Sequence, residues 1–258
     1  GFPNYPGGEV YPGYKIKLIK REKIDNVSVT RLPLYPSHSR NVFGRILNYF
    51  SFSMSSLIYI AFFVKNVDVI YAYHPPLTIG ITVSLIRKLK KIPVVYDIQD
   101  LWPDSLEATG MVKNKTIIKI ENFICNWVYK NVDIITVLSQ GFKDTLISRG
   151  IESKKIEIVF NWCDEKLILK DKFILPEKLK KVKGKKIVFA GNIGAAQNLI
   201  TALKAFKLIK EYSVNLIIIG SGIELNKLKK FKSKNKLSNV FFFEPVPMSE
   251  IGNYLYHS

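Results

Sequence analysis

Several chemistries are excluded by what this chain has little of. It holds two cysteines, Cys125 and Cys163, and three histidines in 258 residues. Two cysteines cannot build a disulfide framework, so a reducing compartment is the default. Neither lies in a CxxC or Cys/His cluster, which argues against a zinc site. Acidic residues are also scarce, 21 Asp+Glu against 39 Lys+Arg, for a formal charge of +18. That imbalance speaks to partners, not to fold, and leaves anionic membranes, phosphate-rich ligands and nucleic acid open. There is no Walker A motif, no GxSxG elbow and no HExxH. Gly222 is followed by Ile, Glu and Leu, so the dinucleotide fingerprint fails too. The chain starts without Met or a signal peptide, on a loop rich in Pro and Gly. It stops at MSEIGNYLYHS, inside a helical spacing with no C-cap. The expectation is that both ends are missing.

What is present is a core. Apolar residues make up 47% and aromatics 12%, which excludes wholesale disorder. Strands are expected at 27–32, 66–73, 93–98, 133–138 and 157–160. Helices are expected after the Pro-Pro pair at 75–76 and at 116–129, and another is capped by Ser139 and closed by Gly150. The pattern restarts with strands at 187–190, 216–219 and 240–243, separated by a helix at 198–211 and a Lys-rich helix. Near-continuous apolar strands alternating with helices predict doubly wound parallel α/β sheets. Between the two runs, residues 177–186 (EKLKKVKGKK) are mostly lysine. A charge run of this kind reads as a solvated face or as a linker. The expected organisation is an N-terminal Rossmann-like domain at 1–164, a linker at 165–186 and a partial second domain at 187–258. Residues 46–64 carry no formal charge, long enough to span a bilayer. Asn48, Ser51, Ser53, Ser55 and Ser56 interrupt this stretch, and a buried or interfacial helix is the better reading. Arg40, Arg45 and Lys65 around it suit anionic headgroups.

Three constellations could carry chemistry. The first, VVYDIQDLWPDSLE at 94–107, puts Asp97, Asp100, Asp104 and Glu107 where a parallel strand ends, the edge at which open α/β sheets bind ligands. Asp97 falls within the strand and Asp100 just beyond it. A carboxylate there can accept sugar hydroxyls or assist proton transfer, while Asp104 can equally cap a short helix. The second, FAGNIGAAQNL at 189–199, and the third, IIIGSGIE at 217–224, are strand–glycine turn–helix units. Their backbone N–H groups can approach phosphate, though glycine turns after strands are also plain structural necessities. His74, in YAYHPPLT, ends another strand and is either a cleft residue or a structural one. His38 and His257 belong to no pattern, and the two sequons at Asn26 and Asn114 carry no weight in a cytosolic protein. FKSKNK lacks interleaved aromatics, so a nucleic-acid surface is unsupported.

Taken together, GFPNYPGGEVYPGYK, IPVVYDIQDLWPDSL, TVLSQGFKDTLISRG, IEIVFNWCD and FAGNIGAAQNL resemble retaining glycosyltransferases of family 4, over nearly the whole chain. The branch is that of bacterial capsule, O-antigen and colanic-type polysaccharide synthesis, including N-acetylfucosamine transferase-like members. The resemblance implies a GT-B fold of two Rossmann-like domains, both incomplete here. It implies a nucleotide-sugar donor, UDP-linked, held between the domains without a divalent metal. The transferred sugar would be an N-acetylated hexosamine or deoxyhexosamine. The acceptor would be lipid-linked, at the anionic inner face of the cell membrane, with the enzyme cytoplasmic and peripheral. In relatives the diphosphate lies near the turn represented here by Gly191, Asn192 and Gly194. Gly220 marks the second glycine turn, and Val246-Pro247 matches the segment whose backbone touches the base. Asp100, then Asp97, match the group that faces the donor sugar, with His74 next. Many members carry Arg at the Asn192 position and Lys near Gln197, and this chain has neither. A pair of glutamates seven residues apart, expected beyond Ser258, is also absent, and transfer by these 258 residues alone is not expected. Two other readings compete: a GT-B sugar-nucleotide 2-epimerase, and a non-catalytic basic module for membranes or nucleic acid.

Overall fold

Asp25-Asn26 makes the first turn, both residues at positive φ (45° and 69°), the two-residue geometry that matches the twist of a hairpin. It joins β1 (Lys20–Ile24) to β2 (Val27–Arg31) in antiparallel register, with Ile24 opposite Val27. The apolar pattern predicts only the second strand, because KREKI hides its period behind charge. The structure is a computed structural model that describes residues 1–4, 10–37, 42–108, 114–170, 172–209 and 211–258. Pro6, Gly7 and Gly8 of the opening loop, His38 and Arg40 lie outside these. The chain divides into two compact units, Gly1–Asn161 and Trp162–Ser258.

In the first unit the hairpin is followed by α1 (Val42–Phe63), β3 (Ile70–His74), α2 (Leu77–Lys90) and β4 (Val94–Ile98). After these come α3 (Asp104–Ala108), α4 (Lys115–Asn131), β5 (Ile134–Val137), α5 (Gln140–Ser148) and β6 (Ile156–Ile158). The sheet runs β3-β4-β5-β6, all parallel. The ends of its helices follow the local signals. Ser139 Oγ accepts from Phe142 N at 3.3 Å, and Asn114 Oδ1 caps α4 through Thr116 N at 2.8 Å. Val94, Tyr96, Ile98, Ile135 and Val137 are fully buried under α2, α4 and α5 on one face. α2 approaches β4 closely because Gly80 has no side chain; a Cβ there would meet the Tyr96 hydroxyl at 2.6 Å. The opposite face carries Tyr71, Tyr73, Val95, Asp97 and Thr136, and Tyr71 and Tyr73 are more than half exposed. Arg87 at the end of α2 grips Asp133 with two bonds of 2.6 Å. Asp133 also accepts Val94 N at 2.9 Å, tying α2 to the start of β4 and β5.

The second unit has α6 (Glu165–Ile168), α7 (Glu177–Lys180), β7 (Lys185–Ala190), α8 (Leu199–Leu208), β8 (Val214–Ile219), α9 (Leu225–Lys234), β9 (Val240–Phe243) and α10 (Met248–Tyr256). Its sheet, β7-β8-β9, is parallel and covered on both faces. Leu216 and Ile218 pack with Leu203 and Leu228 of α8 and α9. Ile217 and Ile219 pack with Leu179, Val182, Ile251 and Tyr254. Residues 165–186, expected as a linker, thus contribute to this core. The lysines stay in water while Leu179 and Val182, three apart, turn inward, 1% and 4% exposed. Gly252 of α10 lies against the Ile168 carbonyl, where a Cβ would stand 2.1 Å away.

Candidate active site

Parallel pairing brings the carboxyl ends of β3 and β4 together, with His74 opposite Ile98. The three acidic or imidazole groups expected there end up in different environments. Side chains alternate along a strand, so His74 points to the helix-covered face, fully buried. Its ring stands edge-on to Tyr96 and Trp102, at centroid distances of 5.7 and 5.2 Å. Among the described residues neither ring nitrogen has a hydrogen-bond partner. Burial pulls its pKa from 6.5 down to about 4, against a smaller opposing pull from Asp97. His74 is therefore a neutral packing group at ordinary pH, not a surface acid or base. Asp97 is on the other face and 5% exposed. It accepts Thr136 Oγ1 at 2.7 Å and Gln99 Nε2 at 2.8 Å. Asp100, past the strand end, is exposed, and its carbonyl accepts Trp102 N at 3.1 Å. Among the described residues its carboxylate has no partner, so it is available to a ligand. Asp104 is ion-paired with Arg149, which also donates to the Trp102 carbonyl at 2.9 Å. Arg149 thus pins the loop that carries Asp100. Sequence reasoning passed over it, and a lone Arg at a helix C-terminus gives no signal of that role.

In the second unit, β7, β8 and β9 each end at the same sheet edge. The loops carrying Gly191–Gln197, Gly220–Glu224 and Val246-Pro247 therefore meet there. Gly191 N donates to Ile219 O at 3.0 Å, Ile193 N to Ser221 O at 2.8 Å, and Glu224 N to Ile193 O at 3.0 Å. Gly220 (φ 147°) and Gly222 (φ 157°) face the neighbouring loop so closely that a Cβ would stand 1.9 Å from Gly191 O and 2.4 Å from Ile193 O. Two strand-end turns are locked into one surface, followed by the first turn of α8. Gly194 N donates to Gln197 Oε1 at 3.2 Å. Asn192 is exposed alongside, Val246 packs partly into the core, and Pro247 starts α10. Glu224 is paired with Lys227 at 2.5 Å.

Residues 11–162 match the family model described as glycosyl transferase 4-like domain, more than half of the chain. The chain belongs to the glycosyl transferase 4-like family. Residues 171–258 match a second description, glycosyl transferases group 1. Among curated relatives, this family member is 25% identical over 250 residues to WcaI of Escherichia coli K12, assigned as a colanic acid biosynthesis glycosyl transferase. The match covers 93% of this chain and 61% of WcaI. Of the solved structures, sucrose-phosphate synthase from Thermosynechococcus elongatus aligns with a TM-score of 0.70 at 14% identity. That alignment covers 96% of this chain and 61% of the synthase. Anabaena HepE, solved with UDP-glucose, aligns at 0.57 and 12% identity, over 82% of this chain and 56% of HepE. The fold is the α/β GT-B class with parallel sheets, and the chain spans about three-fifths of the length of these proteins.

Proposed function

We propose that this family member serves a retaining glycosyltransferase. It takes an N-acetylated hexosamine or deoxyhexosamine from a UDP-linked donor and passes it to a lipid-linked polysaccharide acceptor at the inner face of the cell membrane. The observation that carries the reading is the interlocked pair of glycine turns at one edge of the second unit's sheet, within a chain of this family. HepE, with a related fold, binds UDP-glucose.

In this reading the diphosphate lies over Gly191, Asn192 and Gly194. Gln197 replaces its bond to Gly194 N with one to phosphate, and the open first turn of α8 adds positive potential. Backbone at Val246-Pro247 touches the base. Polar amides in place of the cations many relatives use leave the developing charge on the leaving diphosphate less neutralised by side chains. In the first unit, exposed Asp100 faces the sugar, and Asp97 holds β4 to β5 through Thr136. The donor side in this reading is the unit Trp162–Ser258, with 165–186 packed into its core, and the acceptor side is Gly1–Asn161. Transfer in this reading also draws on the pair of glutamates that relatives carry.

Titration calorimetry with UDP tests the donor half. UDP binding weakened at least threefold by Gln197→Ala and by Asn192→Ala is the expected result. An absence of UDP binding by the folded protein refutes it. Conversion of a UDP-sugar to its 2-epimer without acceptor would replace the transferase reading by the epimerase one.

A further inference from the structure

α1 is amphipathic the wrong way round for a soluble helix. Its polar residues face the protein, where Asn48 and Ser56 are buried. Asn48 Nδ2 donates to Tyr35 O at 2.7 Å, and Ser51 Oγ accepts Tyr35 N at 2.8 Å. Ser55 Oγ donates to Pro33 O at 2.8 Å. Ser53 bonds to Thr78 O at 2.9 Å and to the Thr82 hydroxyl at 2.7 Å on α2. Every fourth residue on the other side is a large apolar one: Ile46, Phe50, Met54, Ile58 and Phe62, between 41% and 73% exposed. This is one ridge along a helix roughly 30 Å long. An ordinary surface helix buries such a ridge and shows its serines to water.

Beside the ridge is a basic element. Thr30 and Arg21 of the β1–β2 hairpin lie near the Tyr59 hydroxyl of α1 and lower its pKa. That hairpin and the loop leading into it carry Lys15, Lys17, Lys20, Arg21 and Lys23 against Glu22 and Asp25, and Glu22 pairs with Lys20 at 2.8 Å and with Arg31. Gly13, Tyr14, Lys15, Lys17 and Lys20 line a shallow groove, with Lys20 Nζ 4.1 Å above the Tyr14 ring.

We propose that α1 lies flat in one leaflet of an anionic bilayer, its 46–62 ridge among the acyl chains and Lys15 and Lys17 of the groove on lipid phosphates. This deepens the membrane part of the function proposed above and rests on it. Length and hydropathy also permit α1 to cross a bilayer. Crossing would strip Asn48, Ser51, Ser53 and Ser55 from the partners that seat them and leave those groups in hydrocarbon, which is costly. In-plane insertion keeps every one of these bonds and buries the ridge. Anionic lipid is the occupant because the neighbouring groove is cationic and attraction to such a surface acts within a Debye length.

The test is co-sedimentation with phosphatidylglycerol/phosphatidylcholine vesicles and with phosphatidylcholine alone, at low and high salt. Phe50→Gln/Ile58→Gln and Lys15→Gln/Lys17→Gln are compared with the parent, with melting curves to confirm folding. The parent should bind the anionic vesicles and be released by alkaline carbonate. The ridge variant should lose roughly tenfold or more in partitioning, and the groove variant should lose the salt-sensitive part. Parent-like binding by a folded ridge variant overturns the proposed surface. Retention after carbonate overturns the in-plane arrangement. No vesicle binding, with a dimer on size-exclusion light scattering that the ridge variant abolishes, assigns the ridge to self-association instead. UDP binding is measured in the same samples. It should be equal in all three proteins, which separates failure of the membrane face from failure of the donor reading.

Discussion

His74→Phe should change the acid stability of this protein in a calculable way. The imidazole is fully buried, and its pKa falls from 6.5 to about 4 because burial disfavours the charged form. The sign follows from proton binding. Between pH 6.5 and 4 the unfolded chain holds a proton on His74 that the native state does not. Stability is therefore full above pH 6.5 and falls as pH drops through that window. The difference is about 2.5 pKa units, which at 1.36 kcal/mol per unit is roughly 3 kcal/mol below pH 4, and about 2 kcal/mol at pH 5. Phenylalanine keeps the edge-on contacts with Tyr96 and Trp102 and has nothing to protonate. It also removes two unpaired ring nitrogens, so the variant should match or exceed the parent at pH 7. Urea unfolding at several pH values between 4 and 7 measures both proteins. Carboxylate titrations are common to the pair and cancel in the difference. Curves that stay parallel through the window would refute a buried neutral histidine.

Four other outcomes are expected. Asp97→Ala should destabilise by about 1–3 kcal/mol, through loss of the bonds to Thr136 and Gln99, read by urea unfolding. Asp100→Ala should leave the melting temperature unchanged. In a form of the enzyme that carries the glutamate pair, it should lower turnover at least tenfold, about 1.4 kcal/mol. Gly220→Ala puts a Cβ 1.9 Å from Gly191 O at φ 147°. It should cost roughly 2 kcal/mol or more and weaken UDP binding, and a stable variant with parent-like affinity would show that the two turns do not need their close approach. Cys163 is exposed, whereas Cys125 is buried with its thiol pushed up to about 12. A thiol reagent at neutral pH should label one cysteine in the native protein and the second only in denaturant.

The strands from β3 onward were legible because parallel strands buried between neighbours read as unbroken apolar runs. NVDVIYAY, PVVYDI and LIII left few alternatives. The caps at Ser139 and the turn at Gly150 (φ 82°) were legible for a chemical reason, since a hydroxyl and a missing Cβ each suit one backbone geometry. β1 was not, because KREKI gives no apolar period. The segment at 165–186 was misjudged for the same kind of reason. Lysine density dominates composition, yet Leu179 and Val182 determine where the backbone goes. The serines of α1 were visible as interruptions of an apolar run. That they point inward depends on Pro33, Tyr35, Thr78 and Thr82, which lie at least a dozen residues away. The division of labour among His74, Asp97 and Asp100 was only partly legible. Alternation places His74 and Asp97 on opposite faces, but Trp102 and Tyr96 decide that one of those faces is closed over the imidazole.

The glycine turns show why a structural requirement and a binding role need not be alternatives. Gly220 and Gly222 are required because the β8 loop crosses the β7 loop at backbone distance, whatever lies outside. The same crossing brings the start of α8, the Gly191–Gly194 amides and the β9 loop to one edge. A diphosphate at that edge would not meet bare donors, since Gly194 N already bonds to Gln197. Binding there is an exchange: the amide oxygen leaves, phosphate takes the N–H, and the Gln197 Nε2 turns to donate. An exchanged bond contributes little net free energy, on the order of 1 kcal/mol. Affinity must then come from several such contacts at once, and Gln197→Ala should reduce it without abolishing it. A variant that bound UDP more tightly than the parent would show that Gln197 only competes with the ligand for Gly194.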